Sequence, residues 1–238
     1  MSLRSRANQR TLICLILITL LAGCATPSRT VKQIDRLDAV DENNPKLLVM
    51  TPDVKYYLLT AGGVSQPHGD WTNAARRNFE DALVKFARGR DTDLVMIPDD
   101  INLGETEIAY QKLYSAVGVT ILSHYYGALK LPTKQGSFDW SLGSGVREIG
   151  EKYEADYALF SYYRDYQASG GRVAFAVLAA VAGVGMATGS ESGFAALVDL
   201  NTGDIVWFNV VSAGSGELRD SDGAHAVVRQ LFKDLPES

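Results

Sequence analysis

The sequence predicts an α+β domain in which helices pack on a mixed, mostly antiparallel sheet, and three observations predict it. Short β-favouring apolar runs alternate with stretches of helical periodicity. The last third of the chain carries a strand–turn–strand signature. A final amphipathic helix then closes the chain, and such an order belongs to a sheet covered by helices.

Lys46–Met50 and Val54–Thr60 are the first β-favouring runs, separated by Thr51-Pro52-Asp53, where Pro52 implies a bend or an edge. Asp70 can cap a helix whose apolar residues Trp71, Ala75, Phe79, Ala82, Leu83 and Phe86 share one face, with Gly89 as a stop. Asp93–Ile97 is a short strand ended by Pro98. From Glu105, the spacing of Tyr110, Tyr114, Val117, Ile121 and Tyr125 predicts a helix, which Gly118 weakens enough to suggest two pieces. Phe138, Leu142, Val146, Ile149 and Tyr153 predict a third helix. Asp156–Arg164 is apolar on both alternating faces, as suits a strand covered on both sides. Phe194–Leu200 and Asp204–Val211 flank Asn201-Thr202-Gly203, a turn with glycine where positive φ is needed. A helix from about Asp220 places Ala224, Val227, Val228, Leu231 and Leu235 on one side, before Pro236.

Residues 1–23 read as a secretory signal. Arg4, Arg6 and Arg10 form a basic start, and Leu12–Leu21 is an apolar run about half the length that a bilayer span needs. The boundary Leu21-Ala22-Gly23-Cys24 resembles the lipobox of bacterial lipoproteins. That resemblance implies cleavage between Gly23 and Cys24, a diacylglyceryl group on the Cys24 sulfur and acylation of its amine. Two or more acyl chains anchor a protein stably without a spanning helix. Ala25 is not Asp, which by the same resemblance favours the periplasmic face of the outer membrane. Residues 24–45 are polar and mixed in charge, and read as a lipidated tether before a periplasmic domain at residues 46–238.

The whole chain has 23 basic and 28 acidic residues; without the three signal arginines the formal charge is about −8. A nucleic-acid partner is therefore not expected. The two cysteines are Cys14, within the signal, and Cys24, so the processed chain has neither a disulfide nor a free thiol.

Residues 170–193 stand apart as an Ala/Gly-rich apolar insertion. Val173–Thr188 carries no charge, and Gly185, Gly189 and Gly193 recur every four residues, as do Ala179, Gly183 and Ala187. Small residues so spaced let helices approach closely. Three readings stay open: a buried segment, a surface used for self-association or partner docking, and insertion into the membrane. Gly185, Gly189 and Gly193 are the candidate membrane or oligomer contacts.

Catalytic chemistry has weaker signals. There is no nucleophile elbow and no phosphate loop. His68, His124 and His225 have no metal-ligand spacing, so neither a metal nor a cofactor is implied. Asp99-Asp100 suits a solvated turn better than an acid–base pair, and adjacent Ser123-His124 point apart on a helix. Tyr153, Tyr157, Tyr162, Tyr163 and Tyr166 suit a core and its rim better than a binding platform.

Asp156-Tyr157-Ala158-Leu159-Phe160, followed after the insertion by Leu197-Val198-Asp199-Leu200-Asn201-Thr202-Gly203-Asp204-Ile205-Val206-Trp207, resembles a broad group of envelope lipoproteins. The group includes the curli-secretion channel lipoproteins and the penicillin-binding-protein activator lipoproteins. The resemblance implies an α/β sandwich used for assembly at the outer membrane. The chain departs from the channel family in showing no pair of amphipathic membrane strands, so channel formation is not carried over. The leading expectation is a non-enzymatic scaffold or regulator of an envelope assembly, with an envelope protein as partner. The alternatives are a self-associating, membrane-interacting lipoprotein in secretion or permeability, and an enzyme on cell-wall or lipid substrates.

Overall fold

A computed structural model of the protein describes residues 30–34, 37, 45–88, 93–97, 103–134, 137–212 and 214–237. Among them, eight strands form one mixed sheet: β1 (Val31–Lys32), β2 (Lys46–Val49), β3 (Asp53–Leu59), β4 (Ser65–Pro67), β5 (Asp93–Met96), β6 (Tyr157–Ala168), β7 (Gly189–Asp199) and β8 (Ile205–Ser212). The α-helices are α1 (Gly69–Arg88), α2 (Glu105–Ile121), α3 (Arg147–Tyr153), α4 (Gly170–Val181) and α5 (Ser221–Leu231).

β6 organises the sheet. One of its edges pairs antiparallel with β7, which pairs with β8, which pairs with β1. Its other edge is parallel to two strands in succession, to β2 from Leu47↔Tyr157 and to β3 from Asp53↔Tyr162. The bend expected at Pro52 lies between those strands and lets one strand of the sheet be followed by two. β5 lies outside β2, and β4 outside β3.

Alternation along the strands builds two cores. Leu47, Val49, Tyr157, Leu159, Leu197 and Trp207 face α1 and α5, where Phe79, Leu83, Val228 and Leu231 close the layer. Leu48, Met50, Ala158, Phe160, Ala196 and Phe208 face the opposite way, toward Tyr114 and Ile121 of α2 and Ile149 of α3. A sheet buried on both faces explains why Asp156–Arg164 reads as apolar on both alternating faces.

Two polar clusters inside the fold are paired, although among the described residues the Trp207 Nε1 and Tyr163 hydroxyl remain buried without a hydrogen-bond partner. The Arg164 guanidinium donates to the Asp53 carboxylate at 2.5 Å and lies 4.0 Å from the centre of the Tyr162 ring. Burial pushes the Asp53 carboxyl up, but hydrogen bonding to Arg164 and its charge outweigh this and hold it below the usual range. Buried Asn209 donates to the carbonyls of Gln230 and Leu231, each at 2.8 Å, at the end of α5 where carbonyls lack helical partners.

The structure departs from the sequence reading in two of the expected helices. Gly118 does not divide α2, because the Phe194 ring lies against it and a Cβ there would sit 2.0 Å from a ring carbon. The expected third helix is helical only from Ser144 onward. Before it, Ser141 bridges Asp204 and Leu142 donates to the Gly203 carbonyl, so pairing with the hairpin overrides helical periodicity. Within the expected tether, Val31–Lys32 adds a strand to β8 and Leu37 is buried.

Candidate functional site

β6 and β7 stay paired out to Gln167↔Gly189, and the connection between them carries α4. Its neck is closely tied. Ala168 donates to the Thr188 carbonyl at 3.0 Å, Ser169 donates to Leu59 at 2.8 Å, and Arg172 Nε reaches the Ala187 carbonyl at 3.0 Å. The Ser169 hydroxyl caps the helix by accepting from Arg172 N. Gly183 ends it at φ 80°, with Val184 donating back to the Ala179 carbonyl at 2.9 Å.

Between those ends, α4 presents its apolar side chains to solvent. Ala176 is its buried residue, whereas Val173, Phe175, Val177, Leu178 and Val181 are exposed, as is Val184 beyond it. Leu178 is 68% and Val181 86% exposed. A helix that is apolar all round normally lies inside a protein or in a membrane. The buried-segment reading of residues 170–193 therefore fails for α4 and holds only where the chain re-enters the sheet.

A groove of about 520 Å³ opens at the foot of α4, lined in part by Asp165, Gln167, Val173, Thr188, Glu191 and Glu217. Asp165 is 7% exposed; burial, then the nearby Glu217 and Glu191 carboxylates, push it up to about 6 against the pull of a hydrogen bond from Gln167. Glu217 behaves oppositely. Burial opposes its ionisation, but hydrogen bonds from Arg219, Gln167 and Tyr56 hold it down to about 2. Arg219 binds Glu217 at 2.6 Å and lies 4.5 Å from the Trp71 ring centre, which itself stacks on His68 at 3.8 Å. Burial and the Glu191 carboxylate together raise the Tyr163 hydroxyl far above the usual tyrosine range.

A smaller cavity, about 240 Å³, lies among His124, Tyr125, Lys130, Lys134 and Trp140. Its cations are tied to their own loop: Lys134 binds the Asp139 carboxylate at 3.0 Å, and Lys130 donates to the Tyr125 carbonyl. Among the described residues, no group of three His, Cys, Asp or Glu side chains could hold a metal.

The sequence candidates fall in different places. Gly23, Cys24, Asp99 and Asp100 lie outside the described residues. Gly185 is exposed beyond α4 with open space around it, while Gly189 and Gly193 belong to β7. The four-residue spacing thus runs from loop into strand and forms no helical stripe. Gly193 instead admits the Tyr163 ring, 2.7 Å from where a Cβ would stand.

Ser123 and His124 do not pair; the hydroxyl donates to Val119 and the ring Nδ1 meets the Leu129 carbonyl at 2.6 Å. His225 contacts Lys85. The tyrosines divide between the two faces of the sheet, with Tyr163 in one core, Tyr162 at the other and Tyr166 stacked on Tyr57 at 4.7 Å. The groove carboxylates escaped the sequence reading because they come from three separate segments. The adjacent charges Arg164-Asp165 in an apolar strand were the available signal.

No protein-family model matches the chain, and no curated protein does. Among solved structures, it is similar to a PelC L103M dodecamer from Paraburkholderia phytofirmans, with TM-score 0.41, 12% identity, and coverage of 89% of this chain and 98% of that one. A second PelC dodecamer from that organism gives TM-score 0.39 at 11% identity, over 89% of this chain and 98% of that one. The lipoprotein GNA1162 from Neisseria meningitidis gives TM-score 0.29 at 14% identity, over 71% of this chain and 81% of that one.

Proposed function

We propose that this chain is a lipid-anchored lipoprotein of the bacterial envelope, held through Cys24 at the periplasmic face of the outer membrane. There it serves as a non-catalytic scaffold or regulator of an envelope assembly. The observation that carries this reading is the β6–β7 connection, which holds large apolar side chains in solvent where the fold has no use for them. Exposed apolar surface of this kind marks a contact with something outside the molecule. The basic–apolar–lipobox order of residues 1–24 supplies the address.

Two measurements test the reading. Labelling with a palmitate analogue is expected to mark the wild type and not Cys24→Ala, and the variant is expected to fractionate as soluble or unprocessed protein. A variant that stays labelled overturns lipidation at Cys24. Site-specific crosslinking in cells from Ser190, at the groove rim, is expected to recover one defined envelope protein. A ladder of self-crosslinks instead supports the second reading, a self-associating lipoprotein.

A further inference from the structure

We infer that α4 is a second membrane attachment: it dips into the same bilayer that holds the Cys24 lipid, without crossing it. The inference rests on lipidation at Cys24, and its own argument comes from the direction of the chain. β1 runs antiparallel to β8, with Val31 opposite Phe208 and Lys32 opposite Trp207. Thr30, whose hydroxyl donates to Asn209 at 3.0 Å, therefore continues toward the carboxy-terminal end of β8. Ser212 at that end pairs with Ser192, and β7 goes on to Gly189, where α4 is rooted. Thr30 thus stands on the side of β1 nearer the end of the sheet that bears α4.

Lengths agree with direction. From Asn209 to Ser212 and from Ser192 to Gly189 the strands together advance about 20 Å. The residues from Thr30 back to Cys24 reach about 20 Å when fully extended. Fully extended, that stretch just spans the distance to the root of α4, so a lipid on Cys24 and the helix can meet the same bilayer.

The surface of α4 suits that neighbour. From Val173 to Ser190 there is no charged side chain, and Arg172 stands at the base, tied to the Ala187 carbonyl. A helix of 12 residues rises about 18 Å, well short of the hydrocarbon thickness of about 30 Å. Among the described residues, no helix is long and apolar enough to cross a membrane. α4 also lacks the basic stripe of a helix lying in the headgroup plane. A shallow apolar dip into one leaflet is the remaining geometry. It places the acidic groove, at the foot of α4, directly beneath the membrane surface.

Because Cys24 is the sole cysteine of the processed chain, Val181→Cys introduces a single thiol for an environment-sensitive fluorophore. Glu151→Cys, exposed on α3 at the other end of the sheet, is the reference. The lipidated proteins are reconstituted on phosphatidylethanolamine–phosphatidylglycerol vesicles and quenched either by spin-labelled lipid or by aqueous iodide. The expected result is loss of most of the 181 emission to lipid quencher and little to iodide, with the reverse at 151. Quenching at 181 by iodide on vesicles that carry the protein overturns the α4 contact and leaves the Cys24 anchor standing. Shielding from both quenchers shows a second copy covering the helix, and also overturns it. Protein that does not float with the vesicles overturns both attachments at once.

Discussion

β7 is joined to its two neighbours in opposite ways. Toward β8, the turn at Asn201-Thr202-Gly203 is consumed by the fold. The Asp199 carboxylate accepts from Asn201 N at 2.8 Å and Thr202 N at 3.3 Å, Gly203 sits at φ 86°, and its carbonyl receives Leu142 N at 2.8 Å. Toward β6, the neck at Ala168 and Thr188 is just as well bonded, yet beyond it only Ala176 of α4 is buried. A connection whose every group serves the fold reports on folding. One that holds Leu178 and Val181 away from the fold reports on what the molecule meets.

Substitutions along this one strand and its two connections separate the cases. The largest expected effect is Phe194→Ala in β7, where the ring is fully buried between Tyr114, Tyr162 and Phe208 and lies against Gly118. Urea denaturation should show a loss of about 3–5 kcal/mol. If the loss is below about 1 kcal/mol, the region around Phe194 repacks and the assigned core is wrong.

Gly203→Val comes next. A Cβ would stand 2.3 Å from the Gly143 carbonyl oxygen at a positive φ, so the same measurement should lose about 3 kcal/mol.

Asp165→Asn tests the groove through pH. The native carboxyl titrates at about 6 against an ordinary 3.8, so the folded state binds more protons than the unfolded between those values. Stability therefore falls as pH rises through that window and stays lower above it. The variant should gain on the order of 2 kcal/mol at pH 7 and lose this slope. Equal slopes in melts at pH 4 and 7 for both proteins would sink the assignment.

The smallest effect on stability belongs to Val181→Asp on α4, within about 0.5 kcal/mol. Its consequence should appear instead in release of the protein from vesicles by mild detergent, which should need less detergent than the wild type. A stability loss comparable to that of Phe194→Ala would place Val181 in a core and erase the contrast between the two connections.

Much of this contrast was legible in the chain. The lone turn Asn201-Thr202-Gly203 between two apolar runs announces the hairpin, and the spacing from Trp71 to Phe86 announces α1. Asp220 announces α5, whose Gly223 amide its carboxylate accepts at 2.9 Å. The non-helical course of residues 138–143 was not legible, because what decides it is pairing with residues far along the chain at 203–205. Nor was the continuity of α2 through Gly118, which depends on a ring from β7.

Local pattern suffices for the strands other than β1 and β4, for α1, α2 and α5, and for a charge-free insertion flanked by small residues, because periodicity and turn chemistry act over a few neighbours. Packing between distant segments settles that α4 stays outside the core, that Gly193 serves the Tyr163 ring rather than a helix pair, and that three carboxylates share one groove. Those outcomes depend on which surfaces the finished sheet leaves uncovered. A chain pattern carries no record of that until its distant parts have met.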